Sequence, residues 1–84
     1  MRLVWAREAW SDYQYWCLHD VRIRDRINVL IEDIQRRPFQ GLGKPEPLKR
    51  NLAGWWSRRI TREHRLVYRV KSGELQIVQC RYYY

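Results

Sequence analysis

Residues 41–65 hold most of the side chains in this sequence that could act on a charged substrate. This stretch has seven of the seventeen basic residues and two of the nine acidic ones, so it carries +5 of the formal net charge of +8. The basic residues are Lys44, Lys49, Arg50, Arg58, Arg59, Arg62 and Arg65. A local cationic surface beside aromatic residues is typical of a protein that binds a polyanion, most often a nucleic acid.

Glu46 is the acidic residue best placed to take part in chemistry on such a partner. It lies between Pro45 and Pro47, whose fixed φ angles restrict how its side chain moves. One interpretation is a surface carboxylate that balances Lys44 and Lys49. The other is a carboxylate that takes or orients a proton near a phosphodiester. The sequence pattern leaves both interpretations open.

Four arginines, at positions 58, 59, 62 and 65, follow in strand-like sequence. On antiparallel strands joined by a short turn, some of them must share a face of the sheet. That face is either a solvated charged surface or a phosphate-binding surface. Arginine favours the second interpretation, because its guanidinium binds phosphate oxygens in a bidentate fork and keeps its charge at any working pH. It would also stabilise a negatively charged transition state.

Three consecutive tyrosines follow the last strand-like run of the sequence. In one interpretation Tyr82 packs inward while Tyr83 and Tyr84 cover an edge of the sheet. In the other, Tyr83 or Tyr84 stacks on an unpaired base, as aromatic side chains do in the recognition of single-stranded RNA.

The elements that must position these residues are predicted from periodicity. Residues 3–5 predict a first strand, either buried or at a sheet edge, and residues 7–18 predict a helix. Asp20 is a plausible N-cap for a second helix that ends before Pro38. The second helix has one apolar stripe with Arg, Asp and Asn on the opposite side, formed by Ile23, Ile27, Leu30, Ile31 and Ile34. The short connection predicts an antiparallel helical hairpin.

Residues 38–54 lack periodicity and predict a long ordered loop. From residue 55 the apolar pattern alternates, which predicts three strands, with a hairpin turn at residues 71–74. In the last run we expect Val78, Cys80 and Tyr82 on one face. The order β-α-α-β-β-β predicts a single α+β domain over residues 1–84, with a mainly antiparallel sheet packed against the N-terminal helical hairpin.

Other classes of protein fit the composition poorly. No apolar run is long enough to span a bilayer, and the N-terminal apolar segment is too short for a signal peptide. Cys17 and Cys80, together with His19 and His64, match no metal-binding spacing. We therefore expect both cysteines to be small buried apolar residues, and a cytoplasmic protein without metal or cofactor and without membrane association.

The combination of motifs along the whole chain resembles the YoeB (Txe) toxins of bacterial type II toxin–antitoxin systems, within the RelE superfamily. The motifs are Pro38-Phe39, GLGKPEPL at residues 41–48, Trp-Ser-Arg-Arg within residues 54–60, EHRLVY at residues 63–68, and Arg81-Tyr82 with Tyr84. The resemblance implies a RelE-like fold. It also implies a ribosome-dependent mRNA endonuclease that inhibits translation by cleaving mRNA in the A site. The RNA's own 2′-OH attacks the adjacent phosphate, so neither metal nor cofactor is needed.

The resemblance also implies roles for individual residues. Glu46 corresponds to the general base, and Arg65 to the arginine that stabilises charge on the phosphate. Lys49 and Arg59 correspond to residues that face RNA, and Tyr84 completes the site. Adding the other cations of the basic stretch, we expect RNA or phosphate contacts from Lys44, Lys49, Arg50, Arg58, Arg59 and Arg62.

Position 83 departs from the family pattern. The family normally has a histidine there, as general acid to the leaving 5′-oxygen, whereas this chain has Tyr83. An unperturbed tyrosine is a weaker acid than histidine by roughly 3.5 pKa units. Three outcomes follow: Tyr83 is a slower acid, another group donates the proton, or the chain is a catalytically attenuated toxin that binds ribosomes or RNA.

The partners implied by the resemblance are the 70S ribosome, its mRNA and a YefM-like antitoxin. The antitoxin would cover the cationic site with an acidic segment that folds on binding. The family also forms homodimers, and DNA binding is associated only with the antitoxin complex.

Overall fold

Two helices and five strands form along residues 1–83, which are the residues that the computed structural model describes. The elements are β1 (Arg2–Trp5), α1 (Arg7–His19), α2 (Val21–Arg36), β2 (Glu46–Pro47), β3 (Trp56–Arg59), β4 (Arg65–Lys71) and β5 (Glu74–Gln79). A short 3₁₀ turn, Arg50–Leu52, lies between β2 and β3. The predicted α+β class and element order are confirmed, and β2 is an additional short strand within the predicted loop.

The helical hairpin forms as the sequence predicts. The carboxylate of Asp20 accepts a hydrogen bond from the backbone N–H of Arg22 at 3.1 Å, which confirms Asp20 as the N-cap of α2. The apolar stripe of α2 is buried through Ile27, Leu30, Ile31 and Ile34. One expectation for α2 is wrong, because not all of its aspartates lie on the polar side: Asp33 is almost fully buried.

The sheet has the strand order β1-β5-β4-β3-β2. β1 runs parallel to β5, and the other neighbouring strands are antiparallel, so the predicted mainly antiparallel sheet is confirmed. β1 is therefore an edge strand, which resolves the alternative that the sequence left open.

The core lies between the helical hairpin and one face of the sheet. Its buried members from the helices and the central strands include Ala9, Trp16, Ile27, Leu30, Ile34, Leu66, Tyr68, Leu75, Ile77 and Cys80. Because successive side chains of a strand point to opposite faces, the residues between these on β3 and β4 lie on the face away from the helices. We call that side of the sheet the outer face.

An irregularity between β4 and β5 changes the predicted alternation. Tyr68 lies opposite Ile77, whereas Val67 lies opposite Gln79, so Val78 is an extra residue. Ile77 and Cys80 are consequently both buried in the core, and Tyr82 is exposed. The expectation that Val78, Cys80 and Tyr82 share a face is wrong, and so is the interpretation that Tyr82 packs inward.

The two cysteines differ in burial. Cys80 is fully buried, as expected, and burial raises the pKa of its thiol. Cys17 is only half-buried. Within residues 1–83, neither helix is long and apolar enough to cross a membrane.

Candidate active site

The outer face of the sheet brings the predicted base and two predicted arginines together. Glu46 of β2 lies opposite Ser57 of β3, and Arg59 of β3 lies opposite Arg65 of β4. Residues directly opposite one another on antiparallel strands share a face, with Cβ atoms about 5 Å apart. Ser57 and Arg59 are two residues apart on one strand, so Glu46, Arg59 and Arg65 all belong to the outer face.

Most of the predicted phosphate-binding cations are exposed, in β3 or in the segments that adjoin β2, β3 and β4. They are Lys44, Lys49, Arg50, Arg59 and Arg62, and Glu46 is exposed as well. The loop that carries Glu46 is anchored next to it, because Leu48 is buried and its N–H donates to the carbonyl of Trp55 at 2.9 Å. A fixed apolar residue thus holds the loop while its charged side chains face solvent.

Arg65 is held by the turn that precedes β4. Its Nη1 donates to the carbonyl oxygens of Thr61, Arg62 and His64 at 2.9, 3.2 and 3.2 Å. The guanidinium carbon lies 4.4 Å from the centroid of the Tyr83 ring, within cation–π range. The structure therefore brings together two predicted site residues that are far apart in sequence, and it buries most of Arg65.

Gln79 fixes the segment that carries Tyr83, a role that the sequence analysis missed. It ends β5 opposite Val67, on the outer face. Its side-chain Nε2 lies 3.0, 3.2 and 3.2 Å from the carbonyl oxygens of Arg81, Tyr82 and Tyr83. The segment after β5 is therefore folded across the outer face towards Arg65. Only the strand register reveals this role, because a glutamine at the end of a strand has no distinctive pattern.

His64 is a second contact of this segment that the sequence did not predict. Its Nδ1 accepts a hydrogen bond from the N–H of Tyr82 at 2.7 Å. The N–H of Arg65 donates to the carbonyl of Tyr82 at 3.0 Å. Tyr82 adopts a left-handed φ of 67°, which these two bonds stabilise. Its place within the EHRLVY motif was the available signal for His64.

The end of β5 is also anchored to α1. Asp12 accepts from the N–H of Cys80 at 3.1 Å, and Trp16 Nε1 donates to the carbonyl of Cys80 at 2.9 Å. Burial raises the pKa of Asp12, although the bond from Cys80 and the charge of Arg81 oppose this. Arg81 lies with its guanidinium carbon 3.4 Å from the centroid of the Tyr15 ring. The predicted site residue Tyr84 lies outside the described residues.

Arg58 does not join the other cations. It is fully buried on the helix side of the sheet, with Nη1 2.5 Å from Oδ2 of Asp33. Hydrogen bonds from Arg37, from Arg58 and from the N–H of Leu42 hold the pKa of Asp33 well below its usual range. The structure therefore places Arg58 in an interior ion pair, and not at the phosphate-binding surface that the sequence predicted.

The chemistry available on the outer face is that of a carboxylate, guanidinium and ammonium groups, and a phenol. Within residues 1–83, no group of three or more His, Cys, Asp or Glu side chains is arranged to hold a metal ion. A carboxylate near cations suits proton transfer or orientation next to an anionic substrate.

Comparisons with known proteins agree with the fold and the motifs. A family profile described as the YoeB-like toxin of bacterial type II toxin–antitoxin systems matches residues 5–84. The curated protein Toxin YoeB of Escherichia coli strain K12 is 60% identical over 84 residues, which cover 100% of both chains. A solved structure described as a YoeB/ParE toxin from Agrobacterium tumefaciens has a TM-score of 0.96 at 55% identity, covering 100% of both chains.

Two solved structures from Staphylococcus aureus show assemblies of similar proteins. One is a YoeB dimer with a TM-score of 0.94, and the other is a heterotetrameric YoeB–YefM toxin–antitoxin complex with a TM-score of 0.93. Each is 41% identical, covering 100% of this chain and 98% of the other. With the full-length family match, these findings identify the chain as a member of the YoeB-like toxin family of bacterial type II toxin–antitoxin systems, with a RelE-like fold.

Proposed function

We propose that this toxin is an endoribonuclease that cleaves mRNA in the A site of the 70S ribosome, acting in the cytoplasm as a single domain without metal or cofactor. The 2′-OH of the mRNA loses its proton and attacks the adjacent phosphorus. The bond from phosphorus to the 5′-oxygen breaks, and that oxygen takes up a proton. The products are a 2′,3′-cyclic phosphate and a 5′-OH.

The observation that carries this proposal is the shared outer face of Glu46, Arg59 and Arg65. A carboxylate on the same face as two guanidinium groups supplies both proton handling and stabilisation of the phosphorane-like transition state. Lys44, Lys49, Arg50 and Arg62 are exposed in the segments that adjoin β2, β3 and β4, and would bind RNA phosphates. Because few acid–base groups are present, ribosome-dependent positioning of the mRNA would supply much of the rate.

Glu46 has two possible roles in the reaction: it removes the proton of the 2′-OH, or it orients that hydroxyl. The pH–rate profiles of wild type and Glu46→Gln separate these roles. Loss of the ascending limb in the variant identifies Glu46 as the titrating base. An ascending limb that survives unchanged identifies an orienting group.

Tyr83 favours a second candidate function, that of a toxin that binds ribosomes but cleaves mRNA slowly. Tyr83 stands where the family normally has its general-acid histidine, and its ring lies against the guanidinium of Arg65. In the proposed mechanism Tyr83 protonates the 5′-oxygen, and Tyr84 completes the site. Restoring histidine with Tyr83→His is the direct comparison. A large gain in cleavage favours the attenuated toxin, and little change favours Tyr83 as a competent acid.

The proposed partners follow from the similar structures. A YefM-like antitoxin would cover the cationic outer face, because the S. aureus relative is described in complex with YefM. A homodimer is proposed from the described YoeB dimer. Binding to DNA is proposed only for the antitoxin complex.

The decisive experiment maps mRNA 3′ ends on purified ribosomes after addition of the toxin. We expect new ends within the A-site codon for wild type and a loss of cleavage of roughly 100-fold or more for Arg65→Ala. Lys71→Ala is the matched control, because it removes an exposed cation at the far end of β4 and should leave cleavage unchanged. No A-site ends at saturating wild-type toxin would contradict the proposal.

A further inference from the structure

The segment between α2 and β2, residues 37–43, is held to the body of the protein by side chains. Tyr68 of β4 donates its hydroxyl proton to the carbonyl of Pro38 at 2.6 Å. Asp33 of α2 accepts from the N–H of Leu42 at 3.0 Å. Arg58 of β3 adds three bonds to backbone carbonyl oxygens: from Nη2 to Arg37 at 2.5 Å and Gln40 at 2.6 Å, and from Nη1 to Leu42 at 3.1 Å.

Arg58 uses every donor that it has. Its guanidinium carries five N–H groups. Three of them bind the backbone of the 37–43 segment, one binds Asp33 at 2.5 Å, and Nε donates to the hydroxyl of Tyr68 at 3.2 Å. No N–H of Arg58 is left to bind a phosphate. The guanidinium is instead the centre of a fully satisfied interior network.

Stability alone is a weak explanation for this network. Replacing a buried ion pair with apolar residues of similar volume is often neutral or stabilising. What a fully satisfied polar network provides is one fixed arrangement of the groups that it bonds. Here those groups are the backbone atoms of the 37–43 segment.

That segment leads directly into the candidate active site. The carbonyl of Gly43 accepts from the N–H of Arg59 at 2.6 Å. Gly43 has a φ of 79°, and a Cβ there would lie 3.0 Å from Leu30 Cδ2 and 3.0 Å from the carbonyl oxygen of Arg59. Glu46 follows three residues later at the start of β2. The position of the segment therefore fixes the backbone that carries both Glu46 and Arg59.

We propose that Asp33, Arg58 and Tyr68 are positioning residues for RNA cleavage. They hold the 37–43 segment against α2 and β3, and thereby set the placement of Glu46 relative to Arg59 on the outer face. They touch no substrate. The inference rests on the proposed function. It names the residues that fix the geometry needed for cleavage.

The first test is Arg58→Lys, which keeps the charge next to Asp33 but removes the planar fork. We expect the cleavage rate at saturating toxin to fall about 10- to 100-fold. The toxin concentration for half-maximal cleavage should stay within about twofold, because the exposed cations that bind the ribosome are unchanged. Arg69→Lys is the matched control. Arg69 donates to Gln76 at 2.6 Å on the outer face and not to the 37–43 segment, so the cleavage rate of this variant should match wild type.

A merely structural role gives a different result. A variant that is folded at the assay temperature, as checked by its melting curve, would then cleave at the wild-type rate. That outcome overturns the proposal.

Tyr68→Phe is the second variant and keeps the core volume. It removes only the hydroxyl that joins Arg58 to Pro38. We expect faster amide hydrogen exchange at Leu42 and Arg59 and a cleavage rate lowered by about tenfold. Unchanged exchange at both amides, or an unchanged rate, contradicts the proposal.

The exchange measurement also separates the two inferences. A wild-type toxin that cleaves no mRNA on ribosomes contradicts the proposed function. In that case faster exchange in Tyr68→Phe still supports the fixed segment, and unchanged exchange refutes it.

Discussion

Arg58 and Arg59 are adjacent and chemically identical, yet they belong to two different regions of the molecule. Arg58 is 0% exposed and bonds five acceptors in the interior, whereas Arg59 is exposed on the outer face beside Arg65. Because successive side chains of a strand point to opposite faces of the sheet, the two arginines lie on different sides of it. One arginine therefore fixes the backbone, and the other is available to a substrate.

The two regions also use hydrogen bonds differently. On the helix side, Asp33 and Arg58 are enclosed and satisfied by side chains and backbone. On the outer face, Gln79 bonds a segment whose aromatic side chains are exposed: Tyr83 is 58% exposed. Substitutions on the helix side should therefore lower both stability and cleavage, whereas substitutions of exposed residues on the outer face should lower cleavage with little change in stability.

The largest expected effect contrasts the two arginines of β3. Arg58→Ala removes the buried partner of Asp33, leaves its carboxylate with only the more exposed Arg37 as a charge partner, and should lower the free energy of unfolding by about 3–5 kcal/mol. Arg59→Ala should change it by no more than about 0.5 kcal/mol. Urea denaturation of both variants measures the difference. Equal losses would remove the distinction between the two regions.

A pair of glycines gives the next largest effect. Gly41 and Gly54 both have a left-handed φ, of 106° and 94°. A Cβ at Gly41 would overlap Oδ2 of Asp33, whereas a Cβ at Gly54 meets nothing. Gly54→Ala should cost about 1–2 kcal/mol for its backbone conformation. Gly41→Ala should cost roughly 1–3 kcal/mol more for the overlap, and chemical denaturation of both variants tests this.

The pH dependence of stability tests the same interior network. The pKa of Asp33 is lowered in the folded state by hydrogen bonds from Arg37, Arg58 and the backbone of Leu42. The stability that its ionised carboxylate contributes is therefore complete above its pKa in the unfolded chain, about 3.9, and is lost as the pH falls through its lower pKa in the folded state. The melting temperature of Asp33→Asn should be below that of wild type at neutral pH and approach it in acid.

Asp25→Asn is the control for that titration. Asp25 pairs with Arg24 at the surface, where an ion pair contributes little. The melting temperature of Asp25→Asn should equal that of wild type at every pH. A constant gap between wild type and Asp33→Asn down to strongly acidic pH would contradict the role given to the Asp33 carboxylate.

The smallest expected effect concerns the outer face. Gln79→Ala removes hydrogen bonds to the segment that carries Tyr83, which are worth about 0.5–1.5 kcal/mol. Cleavage should fall by at most about tenfold, with stability nearly unchanged. Gln76→Ala is the control, since Gln76 bonds Arg69 and Glu74 on the same face. Equal cleavage rates for both variants would show that the segment is held by other contacts.

Local patterns were sufficient to predict the helices and most of the sheet. The stripe through Ile27, Leu30 and Ile34 defined α2, and Asp20 marked its start, because both signals lie within a few residues. β2 was missed because a two-residue strand that contains a proline has no periodicity of its own. It exists only through its pairing with β3.

The candidate site was predictable only in part, because it depends on contacts between distant residues. Alternation indicated that Arg58 and Arg59 point in opposite directions, but not which of them faces the helices. Asp33 was predicted to lie on the polar side of α2. That prediction failed because its interior partners lie on β3 and in the 37–43 segment, which the pattern of a single helix does not reveal. Gln79 acquires its role from the irregular register of β5. The catalytic roles of Glu46, Arg65 and Tyr83 stay predictions.

The parallel pairing of β1 with β5 has a consequence for synthesis of the chain. Arg2 and Glu74 bond across 72 positions of sequence, and β5 lies between β1 and β4 in the sheet. Until β5 has been made, neither β1 nor β4 has that neighbour, and such long-range pairings form slowly. A nascent chain on the ribosome thus lacks the strand whose end carries Gln79 and the tyrosines. We therefore expect the candidate site to form only after β5 has been made, later than both helices.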